Sequence, residues 1–104
     1  MARTYRNFVE LAYEREMSQL LDDLAAKFDE WKKGSIDWYD LNDEIHQYHS
    51  DASRWVWKTY RRLKPQQLVV RAVVRGVLDP SEVPEKMRSA ILDAAEKTRD
   101  LWVD

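Results

Sequence analysis

The sequence predicts an all-α fold, on three observations: apolar side chains recur at spacings of three and four, β-hairpin turn signals are absent, and good helix formers dominate between the breakers. Only two Gly and three Pro interrupt the 104 residues, at Gly34, Pro65, Gly76, Pro80 and Pro84. These breakers divide the chain into four helical segments. With 44% hydrophobic residues and five Trp, the chain carries enough apolar side chain to offset the ordering entropy of one small domain over residues 1–104.

The first helix is expected near 7–33. Tyr13, Met17, Leu20, Leu24, Phe28 and Trp31 form one apolar stripe, with Glu14, Asp22, Asp23, Asp29 and Glu30 between them. Asn7 followed by Glu10 resembles a capping box, and Lys32 and Lys33 before Gly34 supply the cations and left-handed stop of a C-terminus.

The second helix opens at Asp37 with Asp40 in its first turn and closes on Arg61, Arg62 and Lys64 before Pro65. Its main stripe is Trp38, Leu41, Ile45, Tyr48, Ala52 and Trp55. At 1.5 Å per residue both long helices reach about 40 Å, and the link Gly34-Ser35-Ile36 predicts a long antiparallel hairpin. Trp31, Trp38, Tyr48 and Trp55 then read as hairpin packing rather than a cofactor pocket.

The run 66–75 is ambiguous, because its valines favour strands while Arg71 and Arg75 recur at helical spacing. It is read as helix, capped by Gly76. Asp79-Pro80-Ser81-Glu82 reads as a turn or single helical turn. A last helix over 84–102 repeats Met87, Ile91, Ala94, Thr98 and Leu101 or Trp102. The terminal Asp100–Asp104 reads as its last turn, with a short docking tail as the alternative.

Charge is sorted along the chain. Residues 1–53 hold six Lys/Arg and twelve Asp/Glu, residues 54–76 hold seven and none, and residues 77–104 hold four and seven. The basic block is Arg54, Lys58, Arg61, Arg62, Lys64, Arg71 and Arg75. It suggests a phosphate or nucleic-acid patch, whereas the net charge of −2 favours cations that serve the helix dipole and acidic neighbours. No helix-turn-helix, zinc-finger or RNA-recognition signature accompanies it.

Beside the main stripe of the second helix lies another face, rotated by about 100°: Tyr39, Asp43, His46, Ser50, Ser53, Trp57 and Tyr60. Aromatics at the ends and small serines between them suit contact with another helix. One helix with two sticky sides needs two partners, and the shorter segments cannot sheathe a rod of this length. A two-fold homodimer is expected, with Tyr39, Ser50, Ser53, Arg54, Trp57, Tyr60 and Arg61 at its interface. The alternative is a monomeric bundle in which the last two helices fold back.

Catalytic and cofactor signals are weak. His46 and His49 stand three apart beside Asp43 and Glu44, a spacing compatible with a helical metal site, but there is no other His in the chain. Asp43, His46 and Ser50 form a row rather than a converging triad. With no Cys, thiolate metal sites and thiol nucleophiles are excluded. No apolar run exceeds three residues, and the start Met1–Arg6 lacks a secretory leader, so a cytoplasmic protein with no membrane span is expected. The leading reading is therefore a small non-enzymatic interaction module without a cofactor, which self-associates and binds an unidentified protein partner. Nucleic-acid or phosphate binding through 54–76 is the alternative, and a metal site at His46 and His49 the third.

Overall fold

A computed structural model describes residues 5–102, and every regular element in that range is helical. In order these are α1 (Tyr5–Lys32), α2 (Trp38–Gln47), a π-helical segment (Tyr48–Ser53), α3 (Arg54–Arg62), α4 (Pro65–Val74), a 3-10 turn (Pro80–Glu82) and α5 (Glu85–Trp102). Met1–Thr4, the start of the stretch read above for a secretory leader, and Val103–Asp104, the end of the suggested docking tail, lie outside the described residues.

Local chemistry accounts for most element ends. At the end of α1, Gly34 adopts φ +83°, its N–H donates to the Trp31 carbonyl at 3.0 Å, and the Ser35 N–H donates to the Glu30 carbonyl at 2.9 Å. That pair of bonds is a Schellman cap, which satisfies carbonyls the helix leaves open. Gly76, at φ +77°, repeats it after α4, with Gly76 N–H on Val73 and Val77 N–H on Ala72. At the start of α2 the Asp37 carboxylate accepts from the Asp40 N–H at 2.8 Å, and the Asp40 carboxylate accepts in return from the Asp37 N–H. Such a cap stabilises a helix by about 1 kcal/mol. Pro65 stands in the first turn of α4, where its missing N–H costs nothing.

Two expectations at the ends are corrected. Asn7 and Glu10 do not cap α1, because they lie inside a helix already formed at Tyr5. The second rod is not a uniform α-helix, since the π-helical turns at Tyr48–Ser53 separate α2 from α3.

The chain divides into two compact units, one made of residues 5–15 with 62–102 and the other of residues 16–61. The first has a dense core. Phe8 and Ala12 come from α1, Leu68, Val69, Val70 and Ala72 from α4, Leu78 and Val83 from the following connection, and Ile91 and Ala95 from α5. Five consecutive residues of α4, Leu68 to Ala72, are buried, so this helix is enclosed on nearly all sides. A valine-rich helix buried from Leu68 to Ala72 explains the strand-like composition of the segment. Its Arg71 is only 2% exposed, which removes it from any surface patch.

The connection 77–83 is held by two arginines. Arg15 makes a bidentate pair with Glu82, at 2.8 and 2.6 Å, and also donates to the Val77 carbonyl at 2.9 Å. Arg88 donates to the carbonyls of Pro80 at 3.0 Å and Val83 at 2.9 Å. The Arg15 guanidinium, helped by the Asp79 N–H, pulls the Glu82 carboxyl down to about 2. At the far end of α5, Trp102 is half-buried, its indole N–H donates to Thr98 Oγ1 at 3.1 Å, and its carbonyl accepts from Arg75 at 3.2 Å. Trp102 thus takes the inward place of the last turn, while Leu101 points out.

Candidate functional site

The second unit, residues 16–61, is built differently. Its buried side chains are Leu41, Val56 and Thr59, whereas Leu21, Phe28, Trp31, Trp38, Tyr39, Ile45, Trp55 and Trp57 are all exposed. Only Leu92 and Leu101 join them among the exposed large apolar residues described elsewhere. Trp38 is 71% exposed and Trp57 47%. Scattered apolar residues are ordinary on a surface, but eight in one small helical unit form an unusual concentration.

The π-helical segment decides which residues turn inward. A π turn closes its hydrogen bonds five residues apart and holds one residue more than the α spacing allows for. The inward stripe therefore runs Leu41, Tyr48, Ala52, Val56, and Trp55 is left 49% exposed instead of completing it. Trp31 and Trp38, expected in hairpin packing with Trp55, are exposed as well.

The expected interface residues fall into an exposed and a half-buried group. Tyr39, Ser50, Arg54, Trp57 and Arg61 are exposed, and Ser53 is half-buried. Tyr60 is also half-buried, and its hydroxyl donates to the Glu16 carboxylate, so its polar end is engaged within the chain. The Arg61 guanidinium lies 4.7 Å from the centroid of the Trp57 ring, a cation–π contact across one helical turn. Trp38 and Tyr39 meet edge to face, 5.8 Å apart.

A shallow groove of about 250 Å³ runs along this unit. Leu20, Leu24, Tyr48 and Ala52 supply its apolar floor, and Asp23, Glu44 and Asp51 place carboxylates around it, against the single cation Lys27. A second, more open cleft lies beside it, lined by Ser50, Asp51, Arg54, Trp55 and Lys58. Asp51 belongs to both, so acidic and basic surfaces meet at the π-helical segment.

The basic block is not one patch. Arg54, Lys58, Arg61 and Arg62 are exposed along α3, and Lys64 is exposed just beyond it. Arg71 is buried, and Arg75 reaches the Trp102 carbonyl. His46 and His49 are exposed, and among the described residues no three His, Asp or Glu side chains gather as a metal site would require. No helix of the described residues is long and apolar enough to cross a membrane.

Sequence reasoning missed Arg15, Glu82, Arg88 and Glu16. Their partners lie 67, 67, 5 to 8 and 44 positions away. Only the Arg88 contacts fall within reach of local pattern reading. Compared with protein families, with curated proteins and with solved structures, the chain gives no significant match.

Proposed function

We propose that this protein is a non-enzymatic helical interaction module that pairs with a second copy of itself through the unit 16–61, in which the two long helical stretches form an antiparallel hairpin. One observation carries the reading: eight large apolar side chains exposed in a unit that buries only Leu41 and Val56 of its own. Fully hiding each such side chain is worth about 1.5–3 kcal/mol. A surface of this kind is stabilised by being covered, and a symmetric pair is the commonest way to cover it. Trp57 with Arg61 over its ring, and Trp55 beside Arg54, have the aromatic and guanidinium chemistry of interface anchors.

Acrylamide quenching tests the reading, because four of the five Trp stand exposed in this unit. The full chain at micromolar concentration is expected to resist quenching and to lose that resistance on dilution. Equal quenching at both concentrations would overturn self-association.

A phosphate-bearing ligand is the second reading, favoured by the exposed cations Arg54 and Lys58 beside Trp55 in one cleft. Asp51 in the same cleft opposes it. Under this reading Arg54→Glu with Lys58→Glu abolishes salt-sensitive retention on a phosphate matrix.

A further inference from the structure

The rod from α2 to α3 is electrically bipolar. Residues 38–53 carry Asp40, Asp43, Glu44 and Asp51 and no Lys or Arg, whereas residues 54–62 carry Arg54, Lys58, Arg61 and Arg62 and no Asp or Glu. The sign changes within three residues, between Asp51 and Arg54, where the π-helical segment passes into α3. All eight of these side chains but Glu44 are exposed, and Glu44 is half-buried on the groove.

We infer that two copies pair antiparallel about a two-fold axis at the π-helical segment, the basic aromatic face of α3 from each copy seated on the acidic groove of the other. The inference rests on the self-association proposed above and adds where and in which direction it occurs. Away from the axis, where Asp51 meets its own mate, charge complementarity selects this arrangement. In an antiparallel pair centred near Asp51, Glu44 of one copy faces Lys58 of the other, because the two stand equally far to either side of the centre, and the relation repeats through the axis. A parallel pair would set four carboxylates against four carboxylates and four cations against four cations. The groove floor of Leu20, Leu24, Tyr48 and Ala52 offers apolar surface to the Trp side chains of α3. Ser50, small and exposed at the crossing, lets two backbones approach.

Helix dipoles alone place acids at the start and cations at the end of a rod. They do not place the change of sign where two clefts meet. Nor do they account for the two half-exposed Trp that flank Val56 on the basic side.

Two variants of the full chain test the geometry. The protein has no Cys, so Ser50→Cys introduces its sole thiol. A residue near a two-fold axis meets its own mate within disulfide range, a Cα separation of about 4.4–6.8 Å. Ser50→Cys is expected to form a covalent dimer within minutes under mild oxidant, while Ser89→Cys, at an exposed position of α5, stays unlinked. Glu44 and Lys58 lie about 20 Å apart along their own rod, too far for a pair within one chain. Glu44→Lys and Lys58→Glu should each raise the dissociation constant at least tenfold, and the double variant should recover most of that loss. A dimer that neither cross-links through Ser50→Cys nor regains affinity in the double variant overturns the inference and leaves self-association standing. A monomeric unmodified chain overturns both.

Discussion

The Arg61 guanidinium stacks 4.7 Å over the Trp57 ring on an exposed face of α3. Arg61 restrains an aromatic that would otherwise sample several rotamers in water, and it presents a flat, cationic, partly apolar surface outward. Preordered anchors of this kind lose little side-chain entropy when a partner covers them.

Trp57→Ala is therefore expected to raise the dissociation constant of the dimer by tenfold or more, equivalent to about 1.4 kcal/mol or more. The fold of the single chain should persist, since Trp57 is not part of a buried core. Sedimentation at several concentrations reads the first effect and far-ultraviolet circular dichroism the second. Unchanged affinity would remove Trp57 from the interface.

Arg71 behaves in the opposite way. Its side chain is 2% exposed, among the buried residues of α4, so Arg71→Ala leaves a cavity in the interior. A loss of about 2–4 kcal/mol in unfolding free energy is expected in a urea titration. A change below about 0.5 kcal/mol, the ordinary range of surface substitutions, would contradict this placement.

The Arg15–Glu82 pair makes stability depend on acid pH. Glu82 titrates at about 2 when folded and ordinarily at 4.5, chiefly because of Arg15. The unfolded chain thus binds this proton more readily. The contribution is whole above about pH 4.5 and disappears as pH falls towards 2. Urea midpoints of the unmodified chain and of Glu82→Gln should differ near neutral pH and converge in acid. A gap independent of pH would show that the carboxylate charge does not matter.

Deleting Ser50 tests the π-helical segment. With one residue fewer between Tyr48 and Val56, a regular α-helix brings Val56 to the inward position that the spacing assigns to Trp55. The deleted chain is expected to keep its helical content and cooperative unfolding while losing self-association, because the crossing is remodelled. Hydrogen exchange across 44–56 would read the regularised helix directly. Collapse of the fold would mean that the extra residue is needed for packing within the chain.

Much of the local architecture was legible in the residues. Gly34, Asp37, Pro65 and Gly76 mark real ends because caps and breakers act within a few residues. Pro84 opens α5 in the same way, its carbonyl accepting from the Met87 and Arg88 N–H groups. Periodicity carried less. It assigned Trp55 inward on the assumption of unbroken α spacing, and the π turns shifted that place to Val56. It set Arg71 on a surface face, although α4 has almost none. Arg15 with Glu82 and Tyr60 with Glu16 depend on tertiary approach, and nothing in their neighbours announces them. Of the candidate site, the aromatic and basic composition of α3 was visible. The change of charge sign between Asp51 and Arg54 was visible too, but that it falls at a π-helical segment where two clefts meet required the helix geometry.

Sedimentation equilibrium of the unmodified chain at micromolar concentration decides whether two copies pair. A mass of twice 12.5 kDa that falls towards the single-chain value on dilution is expected. A concentration-independent mass of 12.5 kDa would contradict it, because Trp38, Trp55 and Trp57 would then stand in water with no second copy to cover them.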